Sequence, residues 1–295
     1  MKKVIEVPIV EERLWMDADV VYGQVPGWCG VETRNLKMSV IYQSDTPRTV
    51  FRGLHPDRPL QKRPCLIFLC GGGWLTMDVD AYLPNFIELA KKGYVIASVE
   101  YLCSNAGPFP MQLEQIKSAI RYLRANADIY LIDTDKIGIF GESAGGHLSS
   151  LIGTTSSIKD FDKGDHLDQS SAVQAVCAWY GPTDMGEDIQ VRDNPWGRLL
   201  WGDPTKNPEL SENANPIKYV TDKCPPFLLL HGTADSVVAV KHSELMHDAL
   251  EKVGVDVELC LIEGAQHADI HFFQLMVFDI MDDFFKRSFS NAGQQ

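Results

Sequence analysis

The 295-residue sequence contains no apolar run approaching the roughly 20 residues that span a bilayer. It also lacks a basic block: 27 Lys and Arg stand against 40 Asp and Glu, a formal net charge of −13. A chain so acidic offers nothing to neutralise the phosphates of DNA or RNA, and an anionic membrane surface would repel it. The start, Met1-Lys2-Lys3-Val4-Ile5-Glu6-Val7, carries two lysines without the apolar core of a secretory leader; Glu6, Glu11, Glu12 and Arg13 interrupt the place where one would lie. Neither G-x-G-x-x-G nor a P-loop lysine is present, which removes the common cradles for nucleotide phosphates. The seven cysteines, an odd number, have no zinc-site spacing. Cys65, Cys70, Cys177 and Cys260 fall in or beside apolar runs, where a thiol behaves as a small hydrophobe. Together these absences point to a reduced, cytoplasmic protein.

What is present is ample material for a core, with 45% hydrophobic against 23% charged residues. Strand and helix patterns alternate for most of the length. Asp19 to Val25 and Leu36 to Tyr42 read as two early antiparallel strands joined by a loop with Gly27 and Gly30. Short apolar runs, as expected of strands buried on both faces, follow at Pro64 to Leu69, Tyr94 to Val99, Ile137 to Phe140, Val173 to Trp179, Pro226 to Leu230 and Val255 to Ile262. Helical patterns lie between and after them: Asp80 to Lys92, stopped by Gly93; Met111 to Ala127; a helix from near Ala144; Ala239 to Val253; and Ile270 to Arg287. The alternation predicts an α/β fold, a mostly parallel eight-stranded sheet with helices on both faces. Residues 183–216, rich in Asp, Asn, Pro, Gly and Trp, break the rhythm and read as a small insertion over the sheet, within one domain covering 1–295.

Gly141-Glu142-Ser143-Ala144-Gly145 directly follows the run Lys136 to Phe140. This is G-x-S-x-G at a strand-to-helix turn, where small neighbours let strand and helix pack closely while the serine hydroxyl stays exposed. A serine is a poor nucleophile without a base within hydrogen-bonding reach. Ligands of open parallel sheets gather at the carboxyl ends of the strands, so the partners of Ser143 should lie just past other strands. His231-Gly232-Thr233-Ala234-Asp235 follows one such run and places Asp235 at that edge; Gly264-Ala265-Gln266-His267 follows the next and places His267 there. In this reading His267 takes the proton from Ser143, and Asp235 fixes its tautomer and stabilises the imidazolium. After Leu69-Cys70 comes Gly71-Gly72-Gly73-Trp74, whose glycines can turn backbone N–H groups into a cleft. The N–H groups of Gly72 and Gly73 would join that of Ala144 as an oxyanion site, each donor worth about 3 kcal/mol in the transition state.

The chain resembles an α/β-hydrolase of the carboxylesterase type, near the hormone-sensitive-lipase-like esterases and most like the bacterial bifunctional feruloyl and acetyl-xylan esterase group. The matching blocks are Gly71-Gly72-Gly73-Trp74, Gly141 to Leu148, Tyr180-Gly181-Pro182-Thr183-Asp184, Pro225-Pro226-Phe227 leading to His231-Gly232, and Gly264 to His267. The glycine loop of that group usually begins with histidine; here Cys70 takes the place, which bears on loop rigidity rather than on reaction class. The resemblance implies a serine carboxylesterase for short acyl groups, acetyl or feruloyl, on xylo-oligosaccharides or related carbohydrates, with no metal and no organic cofactor. The expected partner is a small-molecule ester, with a homodimer left open as the assembly. An arylformamidase or other amide hydrolase could use the same machinery, and a non-catalytic binding protein could share the fold.

Several residues compete for these roles. Asp184 also follows a strand, but the Asp235 loop precedes His267 by the usual interval, and Asp184 is read as tying down the insertion. His271 lies on the helical pattern after His267 and is the less suited base; His231 is read as supporting the Asp235 loop, and His147 as a packing histidine. Cys103 is read as a partly buried spectator. Trp74 is a candidate substrate contact, and Trp196 and Trp201 either pack the insertion or face the cleft as a sugar platform.

Overall fold

A computed structural model of the protein describes residues 1–8, 10, 13–27, 30–43, 61–184 and 208–292. An antiparallel pair opens the chain, β1 (Leu14–Pro26) and β2 (Thr33–Gln43). Then come β3 (Arg63–Leu69), α1 (Leu83–Lys91), β4 (Val95–Val99), α2 (Met111–Ala125), α3 (Ala127–Tyr130), β5 (Ile132–Glu142) and α4 (Ala144–Thr154). They are followed by β6 (Ala175–Trp179), α5 (Pro208–Asn213), β7 (Phe227–Gly232), α6 (Lys241–Lys252), β8 (Val257–Ile262) and α7 (Leu275–Ala292). The eight strands form one sheet in the order β1-β2-β4-β3-β5-β6-β7-β8, parallel from β4 to β8 and antiparallel where β2 meets β1 and β4.

Successive strand residues point to opposite faces, and in the central strands β3, β4, β6 and β7 both faces are buried. Cys65, Ile67 and Leu69 of β3 join one cluster with Leu113 and Ile116 of α2, Leu148 of α4 and Met246 of α6. Leu66 and Phe68 join the other, with Phe86 of α1 and Phe278 and Met281 of α7. Each fully buried side chain of this size contributes about 1.5–3 kcal/mol, so a one-residue slip of a central strand is heavily penalised. Such double burial is why the strands read as continuous apolar runs.

The path of the chain creates a crevice. From β3 it moves outward to β4, then returns to β5 on the other side of β3. The connections leaving β3 and β5 therefore diverge, and the gap above their carboxyl ends is the natural ligand position of an open parallel sheet. Leu69 pairs with Gly141, so the glycine loop and the serine turn leave the sheet level with each other. Likewise Gly232 pairs with Ile262, which brings the loops after β7 and β8 out side by side.

One expected helix divides. The pattern Ile270 to Arg287 is a 3-10 turn at Ile270–Phe273 followed by α7. The Asp269 side chain accepts from the His271 N–H and caps the short turn, and Gln274 is extended at φ −84° and ψ 150° before α7 begins. Trp196, Trp201 and most of the 183–216 insertion lie outside the described residues.

Candidate active site

Ser143 stands between β5 and α4 at φ 54° and ψ −117°. A residue with a Cβ pays of order 1–3 kcal/mol there, so its surroundings must hold it. Its N–H donates to the Trp179 carbonyl at 3.0 Å, and its carbonyl accepts from the His147 N–H at 3.0 Å as α4 starts. At Gly145 a Cβ would overlap the Leu69 carbonyl, so the helix meets β3 closely only with glycine at that position.

Three side chains from three loops meet in series. His267 Nε2 lies 2.9 Å from Ser143 Oγ, and His267 Nδ1 lies 2.8 Å from Asp235 Oδ2. A carboxylate accepts only, so Nδ1 carries the ring proton and Nε2 faces the hydroxyl as the acceptor. Tyr180 packs edge-on against the imidazole, 4.7 Å between centroids, and limits its rotation. Asp235 is held from below: Oδ1 accepts the N–H groups of Val237 and Val238 at 2.8 and 2.9 Å. Burial alone would raise the Asp235 carboxyl, but hydrogen bonds from His231, His267 and the Val238 N–H outweigh it and hold the carboxyl well below its usual range. His231 itself is anchored, Nε2 on the Val238 carbonyl at 2.9 Å and Nδ1 on Ser243 Oγ at 2.7 Å.

The glycine loop faces this series across a cleft of about 470 Å³ whose lining includes Gly72, Gly73, Trp74, Tyr82, Ser143 and His267. Gly72 adopts φ +114°, a conformation that L side chains avoid. Among the described residues no protein acceptor takes the N–H groups of Gly72 or Gly73. Ala144, which also lines the cleft, is the first residue of α4, where the helix supplies no carbonyl to its N–H. The loop's first glycine is tied to the serine turn, since the Gly71 N–H donates to Glu142 Oε1 at 2.5 Å. Burial pushes the Glu142 carboxyl up, and that hydrogen bond partly opposes the rise. Trp74 lines the cleft but is only 5% exposed, and its indole N–H turns inward to His147 Nδ1 at 3.2 Å.

The other candidates lie apart from the series. Asp184 Oδ1 accepts from Asn215 Nδ2 at 3.4 Å, joining the two ends of the insertion. His271 pairs with Asp269 at 2.7 Å and is exposed. Cys103 is half-buried, and burial pushes its thiol up, away from a reactive thiolate. Cys70 is buried too, its thiol pushed up to about 11. Among the described residues one group has metal-ligand proximity, His247, Asp248 and Glu251 on α6, and none of the three lines the cleft. No helix among the described residues is long and apolar enough to cross a membrane. Tyr180 and Glu142 lie within the motifs Tyr180 to Asp184 and Gly141 to Gly145, but their supporting roles have no local signal in the sequence.

Strand order, the turn at Ser143 and the loops after β7 and β8 define an α/β-hydrolase. Within that class the chain belongs to the BD-FAE family, whose sequence profile matches residues 54–250. It is 29% identical over 251 residues to Esterase LipC of Mycobacterium tuberculosis, covering 82% of this chain and 60% of LipC; it thus spans only part of that relative's length. A truncated carbohydrate esterase from gut microbiota superimposes with a TM-score of 0.79 at 25% identity, over 95% of this chain and 97% of its own. The bifunctional GH43-CE of Bacteroides eggerthii gives 0.77 at 29% identity, over 92% of this chain and 38% of its own.

Proposed function

We propose that the protein is a serine carboxylesterase in which Ser143 is the nucleophile, His267 the general base and acid, and Asp235 the orienting anion. The observation that carries this reading is the unbroken series from Ser143 Oγ through His267 to Asp235, at 2.9 and 2.8 Å. His267 Nε2 accepts the hydroxyl proton as Oγ bonds to the ester carbonyl carbon, and the carbonyl electron pair moves to oxygen. That oxyanion is met by the N–H groups of Gly72, Gly73 and Ala144. Collapse breaks the bond to the alcohol, which leaves with the proton from His267. Water repeats the steps on the acyl-enzyme, giving one acid and one alcohol for one water consumed.

The substrate class we infer is a short acyl ester of a soluble alcohol: acetyl or feruloyl groups on xylo-oligosaccharides or related carbohydrates. The names of the carbohydrate-esterase neighbours support it, and a cleft of about 470 Å³ has room for a small acyl group. We read residues 183–216 as a small cap-like insertion within a single domain, with Trp196 and Trp201 as candidate substrate contacts. Ser143→Ala is expected to abolish hydrolysis of p-nitrophenyl acetate with the melting temperature retained. Turnover surviving that change would refute the mechanism, and a panel of acetylated and feruloylated oligosaccharides, scored by acid released, tests the substrate class.

A further inference from the structure

Trp74 closes the glycine loop in the left-handed region, at φ 60°. Nothing in its own backbone favours that state, so the contacts around it must. Its carbonyl accepts from both the N–H and the hydroxyl of Ser104, at 2.7 and 3.0 Å. Its indole N–H donates to His147 Nδ1. His147 is fully buried in α4, one turn beyond Ser143, and its other nitrogen, Nε2, lies 2.7 Å from the Ala214 carbonyl. A carbonyl only accepts, so Nε2 bears the proton and Nδ1 offers a lone pair to the indole. Both ring nitrogens are thereby committed and the tautomer is fixed. Burial lowers the imidazole to about 4, in keeping with a neutral ring.

The glycine loop is thus clamped at both ends by side chains flanking the proposed nucleophile. Glu142, one residue before Ser143, holds the Gly71 N–H, and His147, four residues after it, holds Trp74. Between these clamps lie only Gly72 and Gly73, the softest backbone in the segment. We propose that His147 is a positioning residue of the oxyanion site: its unprotonated Nδ1 fixes Trp74, and through it sets the main-chain N–H groups of Gly72 and Gly73 against that of Ala144. The inference rests on the serine-esterase reading. Its Ala214 bond reaches the chain just after α5, where the insertion rejoins the fold, and secures the ring from behind.

The two halves of the bridge can be separated. In His147→Asn the amide oxygen takes the place of Nδ1 and keeps the acceptor for Trp74. In His147→Gln the amide nitrogen takes the place of Nε2 and keeps only the Ala214 bond. Trp74→Phe removes the indole donor while retaining an aromatic ring. Hydrolysis of p-nitrophenyl acetate would be followed for the full chain, these three variants and the Trp74→Phe/His147→Gln double, each with its melting temperature. Loss of a single oxyanion donor costs about 100-fold or more, so a loosened loop should lower kcat about 10- to 30-fold in Trp74→Phe and His147→Gln with KM within about threefold. His147→Asn should recover most of that loss, and the double should fall no further than either single change, as expected of one shared interaction. Equal damage by Asn and Gln, losses that multiply in the double, or losses that merely track melting temperature would overturn the proposal. Should neither His147 variant fold, Trp74→Phe decides: unchanged kcat defeats the proposal, and a kcat-only loss at unchanged melting temperature supports it. An inactive wild type would instead defeat the esterase reading itself.

Discussion

The two arms that meet over Ser143 are held by opposite electrostatics. On the side of β7 and β8, Asp235 is kept anionic by two backbone N–H groups and two histidines. On the side of β3, the glycine loop is held by a buried neutral imidazole and by a carboxyl that burial pushes up. The difference follows the charges expected during ester hydrolysis. An imidazolium forms beside Asp235, where an anion stabilises it; negative charge forms over Gly72 and Gly73, where the His147 support is a neutral ring and burial disfavours charge on Glu142.

The strongest way to break this contrast is to neutralise the anionic arm. Asp235→Asn retains shape but lets His267 take the wrong tautomer, and kcat is expected to fall about 10⁴-fold; steady-state assays at pH 7 check it. Next in size is the close packing that both arms share at the serine turn. Gly145→Ala puts a methyl group into the Leu69 carbonyl, a backbone atom that cannot swing away, and should cost about 3 kcal/mol or more in urea unfolding.

Acid distinguishes the arms directly. The unfolded chain protonates His147 near its ordinary value of 6.5, whereas the folded chain resists until about 4. The stability linked to that neutral ring is therefore complete above pH 6.5 and is lost as pH falls toward 4, by up to about 3 kcal/mol. Repulsion from His242 is one cause of that lowering, after burial. Asp235 responds in the same direction but in a lower window: its folded carboxyl is depressed, so its contribution is complete above the usual carboxylate range and is lost as the pH falls through and below that range. Unfolding free energies at pH 7, 5.5 and 4.5 should show a slope that His147→Asn flattens and Asp235→Asn leaves alone. The smallest effect sharpens the assignment of the acid. Asp184→Asn, which disturbs a tie between the ends of the insertion, should change kcat less than about threefold.

The anionic arm was the legible one. Asp235 and His267 each follow an apolar run by a few residues, and strands buried on both faces announce themselves as such runs. The same doubling of burial made the eight-stranded sheet readable before its pairing was known. The neutral arm left little local trace. Trp74 and His147 are 73 residues apart, and no periodicity within either segment links them; His147 reads from sequence as one more core residue of α4. The break at Gln274 was hidden for a different reason: apolar residues continue through it at helical spacing, and only the Asp269 cap and the extended backbone separate the turn from α7.

The central claim is that Ser143 is activated by the imidazole beside it. Treatment with a fluorophosphonate probe, followed by intact mass and peptide mapping, tests this most directly, because only an activated serine is phosphonylated rapidly. One adduct, on Ser143, formed far more slowly in Asp235→Asn, is the result expected here. No adduct, or an adduct on another residue with Ser143 unmodified, would contradict it.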